Sequence, residues 1–233
     1  LHEYAQVDST NYVARWLPAW HAVRADTQTA GRGRFQRTWV SDAGGLWLSA
    51  IVPVLGHKES FQVLPLVAGL AAVDALKTLG IAGLRLRWPN DIMVGERKLA
   101  GLLLDTFKSE LAVIGLGINL RNEPAAQDAS LRGLATRLLD LMSQPPTLHD
   151  LTAAVLQSLR TRVNTLAENG FAALHPAINE LWGGAPRVKV ELDGSCRQGI
   201  FRGVDQRGRL LLGEAEGRTA VLATHEVKLL REL

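Results

Sequence analysis

Cysteine is nearly absent: Cys196 stands alone among 233 residues, which excludes a disulfide framework and any CxxC redox or metal motif. A reducing cytoplasm is therefore the expected compartment. As a lone free thiol, Cys196 is expected to be a small packed hydrophobe. The histidines, at 2, 21, 57, 149, 175 and 225, show no ligand spacing, so no dedicated metal site is expected. A G-x-S-x-G elbow and a P-loop are both missing. Gly31-Arg-Gly33 and Gly115-Leu-Gly117 begin like a dinucleotide fingerprint, but Gln36 and Leu120 stand where its third glycine belongs. The longest apolar run, Val63 to Val73, stops at Asp74, short of the roughly 20 residues of a membrane span. The start shows no basic-then-apolar signal region. Charge of one sign is also scarce. A net charge of +3 gives a weak preference for anions and no footprint for DNA.

What remains points to an α+β protein. At 47% hydrophobic the chain supports one sizeable core. Short strands are expected at Glu3–Val7, Ala22–Thr27 and Leu46–Val54, with a helix after the cap cluster Asp8-Ser-Thr-Asn11 that ends near Pro18. Ser60 to Leu79 is apolar on nearly every face and reads as a buried helix stopped by Gly80. Four strands follow between Leu84 and Leu120, with turn signals at Gly95-Glu96 and Lys108-Ser109-Glu110. Connections that short make the sheet mixed and largely antiparallel. A loop is expected over 121–130. Thr147 caps a long helix in which Leu148, Leu151, Val155, Leu159, Val163 and Leu166 recur at three-to-four spacing, and a second helix is expected near Phe171 to Trp182. Past Gly183-Gly184 the pattern becomes five short strands separated by Asp-Gly, Arg-Gly and Glu-Gly turns. The expected organisation is a sheet flanked by helices over 1–184, followed by a small SH3-like β-barrel over 185–233.

The chemistry gathers in a few places. Residues 31–37 hold Arg32, Arg34 and Arg37 with Gly31 and Gly33, between two strands and just ahead of Trp39. Glycines let a backbone approach a ligand, and guanidinium forks match carboxylate and phosphate. Further along come Arg87-Trp-Pro-Asn-Asp91 and then Lys98. The residue before proline is pushed out of the helical region, so the backbone is extended there and Asn90 and Asp91 project from a strand end. A hairpin between the flanking strands would return Lys98 beside them.

Asp8-Ser-Thr-Asn11, Gly31-Arg-Gly-Arg34, Arg37-Thr-Trp39, Trp88-Pro-Asn-Asp91, Arg97-Lys-Leu-Ala-Gly101 and Gly115-x-Gly-Ile-Asn119, in this order, resemble the biotin protein ligases over the whole chain. That resemblance implies the class II synthetase-like biotin/lipoate ligase fold. It also implies an ATP-dependent reaction in which biotin becomes biotinoyl-5'-AMP and is then transferred to a lysine of a biotin carboxyl carrier protein. By the same resemblance, Ser9, Thr10, Asn11, Gln28, Arg32, Gly33, Arg34, Gly115 and Gly117 would hold biotin, with Lys98 near its carboxylate and the α-phosphate of ATP. Lys98, Arg32 and Arg34 would carry the chemistry. Arg34, Arg37, Trp39, Asn90, Ile118 and Asn119 would line the ATP site, Mg²⁺ entering with the triphosphate, and Asp91 is expected to orient the acceptor amine. The chain departs from the family pattern at Phe35-Gln36, where Arg-Gly is usual, and at Arg87, where Lys is usual. A lipoate or octanoate transferase of the same fold is the alternative. A DNA-binding repressor is a second, which needs a helix-turn-helix ahead of the first strand. No membrane or specific nucleic-acid partner is expected, and a homodimer stays open.

Overall fold

The computed structural model describes residues 1–54, 60–108 and 110–233; His57 and the Ser109 turn lie outside them. A seven-stranded sheet carries the first part of the chain. Its strands are β1 (His2–Val7), β2 (Ala22–Gln28), β3 (Leu46–Pro53), β4 (Leu84–Arg87), β5 (Asp91–Val94), β6 (Arg97–Lys108) and β7 (Leu111–Ile118), in the spatial order β1-β2-β3-β7-β6-β5-β4. β1 and β2 run parallel, linked through α1 (Thr10–Ala14), and every other neighbouring pair is antiparallel. The mixed, largely antiparallel sheet read from the sequence is the one observed.

Side chains alternate between the two faces of a strand, and β3 and β7 use both faces. Leu46, Leu48, Ala50 and Val52, with Ala112, Ile114, Leu116 and Ile118, enter the main core. There α2 (Ser60–Thr78) and α4 (Leu148–Asn169) pack together, tied by Arg162 Nε to Asp74 Oδ2 at 2.7 Å. By length and composition alone Phe61–Thr78 would suffice to cross a membrane. It is a core helix, 67% buried, and its all-round apolarity follows from that burial. On α4 the Thr147 hydroxyl accepts from the Asp150 N–H at 3.1 Å, and Leu151, Val155, Leu159 and Val163 are buried.

Three expectations are corrected. The stretch 121–130 contains α3 (Pro124–Gln127) and a 3-10 turn, Ala129–Leu131. The helix expected over Phe171–Trp182 is broken into a 3-10 turn, Phe171–Ala173, and α5 (His175–Glu180), because Pro176 lies at the start of the second piece, where its missing N–H costs nothing. Cys196 is exposed, not packed; it opens a strand at the sheet surface.

That strand belongs to a second, five-stranded antiparallel sheet made of β8 (Arg187–Glu191), β9 (Cys196–Val204), β10 (Leu210–Gly213), β11 (Thr219–Leu222) and β12 (Leu229–Glu232). It is joined firmly to the first. The Trp88 indole N–H donates to Gly208 O at 3.1 Å, and Arg85 grips Glu232 through two 2.6 Å contacts. One continuous apolar cluster runs from α2 into Val188, Val190 and Phe201.

Candidate active site

The sheet face turned away from α2 and α4 holds a cavity of about 670 Å³. One end of it is neutral and hydrogen-bonding. Ser9, Thr10 and Asn11 begin α1, where such residues usually cap a helix; here Ser9 makes no side-chain cap bond, and Thr10 and Asn11 are buried in a polar network. Gln28 Oε1 accepts from the Thr10 backbone N–H at 2.8 Å, and Gln28 Nε2 donates to Ser41 Oγ at 2.8 Å. Ser49 Oγ lies 2.7 Å from Thr10 Oγ1 and 2.5 Å from Asn11 Oδ1, while Asn11 Nδ2 donates to Asp105 Oδ2 at 2.8 Å. Gly115 faces this network because a Cβ there would stand 2.3 Å from Asn11 Oδ1. Gly101 and Gly117, paired across β6 and β7, make a flat floor for Trp39. A Cβ on Gly117 would meet Trp39 Nε1 at 2.4 Å.

The other end is cationic. The β5–β6 hairpin brings Lys98 back to Asp91, whose Oδ1 pairs with the ammonium while Oδ2 takes Arg87 Nη2 at 2.7 Å. Burial alone would raise the Asp91 pKa, but the charges and hydrogen bonds of Lys98 and Arg87 outweigh it and hold the carboxyl below its ordinary value. Arg87 uses its fork: Nε also approaches the same oxygen, at 3.3 Å. The Lys98 ammonium lies 4.9 Å from the Trp39 ring centroid. Its backbone pairs with the segment Leu134–Thr136, through Lys98 N to Leu134 O at 2.8 Å and Thr136 N to Lys98 O at 2.9 Å. That pairing brings Leu131, Leu134 and Ala135 into the wall as an apolar flank.

The arginine loop lines the cavity and touches the connection between β11 and β12. Arg34 Nη2 donates to Thr224 O at 2.6 Å and Val227 O at 2.9 Å, and Arg37 Nη2 reaches Lys228 O at 3.5 Å. Burial lowers the Arg34 pKa, the Asp91 charge opposing and Arg37 adding to the fall. Arg32 bridges to Thr38 through its backbone, and Gly33 N–H donates to Arg37 O at 2.7 Å.

Ser9, Thr10, Asn11, Gln28, Arg32, Gly33, Arg34, Arg37, Trp39, Asn90, Asp91, Lys98, Gly115, Gly117 and Asn119 all line this one cavity. Ile118 does not: strand alternation sends it into the main core, fully buried. Two of the amides are already occupied. Asn90 Nδ2 donates to Leu102 O at 2.6 Å, and Asn119 is spanned by Thr136 O and Asn122 Nδ2, each at 3.1 Å. Asp91 holds two cations. Sequence reasoning missed Ser41, Ser49, Asp105 and the Leu131–Ala135 flank. Ser49 had a signal, a lone hydroxyl inside the apolar strand Leu-Trp-Leu-Ser-Ala-Ile-Val.

A cavity that joins a neutral, donor-and-acceptor end to a cationic end suits an enzyme that brings an organic acid to a phosphate. Residues 6–119 match the family described as biotin/lipoate A/B protein ligase. A biotin–[acetyl-CoA-carboxylase] ligase of Mycobacterium tuberculosis is 34% identical over 219 residues, covering 89% of this chain and 78% of that protein. The bifunctional ligase/repressor BirA of Bacillus subtilis is 30% identical over 206 residues, and this chain spans 62% of its length. The biotin protein ligase from Aquifex aeolicus in complex with biotin and ATP aligns with a TM-score of 0.86 and 28% identity, covering 99% of this chain and 98% of that one. The chain belongs to the biotin/lipoate A/B protein ligase family.

Proposed function

We infer that this chain is a biotin–protein ligase. The observation that carries the reading is a single cavity with the Thr10–Gln28–Ser49–Asn11 network at one end and Lys98, fixed by Asp91, at the other. Neutral donors and acceptors suit a cyclic urea, and the apolar face of Trp39, whose indole packs on Gly101 and Gly117, suits an aliphatic chain alongside it. Lys98 then meets that chain's carboxylate. The apolar flank Leu131, Leu134 and Ala135 suits a nucleotide base.

In the first step a biotin carboxylate oxygen attacks the α-phosphorus of ATP; the new P–O bond forms as the bond to pyrophosphate breaks. Two anions must approach, and a cation fixed between them lowers the repulsion without reorganising. Lys98 has that role and Asp91 is its anchor. In the second step an acceptor lysine nitrogen attacks the acyl carbon, the C–O bond to AMP breaks, and the amine proton is released. Closure of the arginine loop keeps water from the mixed anhydride. Among the described residues no His, Cys, Asp and Glu cluster could cage a metal, so Mg²⁺ would come held by the triphosphate oxygens.

The acceptor is a biotinyl domain of a carboxylase, and the ATP requirement with an exposed free thiol suits a cytoplasmic setting. The test is mass spectrometry of a biotinyl acceptor domain after incubation with the chain, biotin and MgATP. The expected result is the mass of one biotinoyl group on its target lysine. Modification by lipoate or octanoate in place of biotin overturns the reading.

A further inference from the structure

We propose that Asp105 is a positioning residue that sets the hydrogen-bond polarity of the neutral end, and thereby its preference for a ligand that presents N–H donors. The proposal rests on the reading of that end as the site of the biotin ureido ring.

Proton counting carries the argument. A carboxylate accepts and does not donate, so Asp105 Oδ2, 2.8 Å from Asn11 Nδ2, fixes which edge of the Asn11 amide faces it. The carboxamide oxygen must then face Ser49, whose Oγ is 2.5 Å away and has to donate there. Ser49 has one proton, and toward Thr10 Oγ1, at 2.7 Å, it can only accept. Thr10 therefore gives its single proton to Ser49 and not to Gln28 Oε1, which is farther off at 3.1 Å. Both Thr10 Oγ1 and Gln28 Oε1 are left with lone pairs for the cavity. The order cannot be reset by solvent, because Ser49 is fully buried and Thr10 and Asn11 are each 3% exposed. Asp105 thus acts at three removes, through Asn11, Ser49 and Thr10, without touching the ligand. An amide in its place offers either edge to Asn11, and the whole chain is then free to run in the opposite sense.

The experiment compares kcat/KM in pyrophosphate exchange for biotin and for its two cyclic carbamate analogues, each with one ureido ring N–H replaced by oxygen. The wild-type chain should reject the analogue that places oxygen against Thr10 by about tenfold or more, because a hydrogen bond is replaced by facing lone pairs. In Asp105→Asn that ratio should fall by at least about threefold, with the KM for ATP unchanged to within about twofold. A purely structural role would lower both substrates' rates together and leave the ratio intact. Ser49→Ala, which cuts the same relay, should lose the discrimination too and carries the test should Asp105→Asn fail to fold. A wild-type ratio retained in either folded variant, or no discrimination in the wild type, overturns the role of Asp105. Absence of any biotin-dependent exchange in the wild type overturns instead the functional reading beneath it.

Discussion

Replacing Asp91 by Asn leaves Lys98 and Arg87 side by side without the carboxylate both grip. Exposed ion pairs contribute about 0.2–1 kcal/mol, whereas breaking a buried pair costs about 3–5. The Asp91 side chain is 16% exposed and its partners 27% and 24%, which places the pair nearer the buried case. Discounted for solvent screening, the loss is about 2–3 kcal/mol. For a chain of this length that is a fall in Tm of about 4–12 °C near neutral pH. The pH dependence identifies the cause. The folded-state pKa of Asp91 is depressed below its ordinary value of 3.8, so the stability it contributes is fully present above that value and is lost as pH falls through the lower folded one. The Tm gap between wild type and Asp91→Asn should stay level from about pH 7 to about pH 5 and narrow below about pH 4. Melting curves by circular dichroism at constant ionic strength read this directly, and taking the difference cancels the other carboxylates. A gap that stays constant down to about pH 3, or is absent at neutral pH, refutes the clamp.

Lys98→Ala should cut biotin-dependent ATP–pyrophosphate exchange by more than about tenfold; a wild-type rate removes Lys98 from the chemistry. Gly115→Ala would put a Cβ 2.3 Å from Asn11 Oδ1, and overpacking of about 1–3 kcal/mol predicts biotin binding weaker by about 5- to 150-fold, measured by calorimetry. Arg34→Gly should still form the adenylate but release it, biotinylating exposed lysines of bystander proteins that the wild type leaves clean. Equal labelling beside both forms, with adenylate synthesis confirmed in each, places Arg34 outside retention. Gel shifts at near-physiological salt should show only weak, sequence-independent binding of duplex DNA by this chain.

Much of the fold was legible because its signals are local. Strand alternation, three-to-four spacing on α4 and the glycine turns of the second sheet each depend on residues close in sequence. The Lys98–Asp91 meeting was legible for the same reason, since a tight hairpin fixes which residues return to face each other. Contacts joining distant segments were not. Asp105 reaches Asn11 across 94 positions, and Arg34 reaches Thr224 across 190; no period or turn signal encodes either. For Ile118 the motif and the strand's own alternation disagree, and alternation prevails: its neighbours Gly117 and Asn119 face the cavity while it enters the core. Pro176 is itself a helix-start signal, and the break before α5 falls there.

The departure at Phe35-Gln36 takes on a physical meaning once the arginine loop is placed. Both residues adopt left-handed backbone angles, with φ of 54° and 57°, a region that costs a residue with a side chain about 1–2 kcal/mol. Glycine at 36 would adopt it freely. In this chain the loop therefore carries strain of about 2–4 kcal/mol that glycine at 36 would halve. The far end of Arg34 opposes that strain through two charge-assisted bonds to the carbonyls of Thr224 and Val227, each contributing about 1.5–3 kcal/mol. The opposing quantities are of similar size, so this loop conformation depends on the β11–β12 connection's keeping those two carbonyls in place. A ligand that adds one further charge-assisted contact shifts the balance by about tenfold or more. The loop between β11 and β12 is thereby coupled to the arginine loop that lines the cavity.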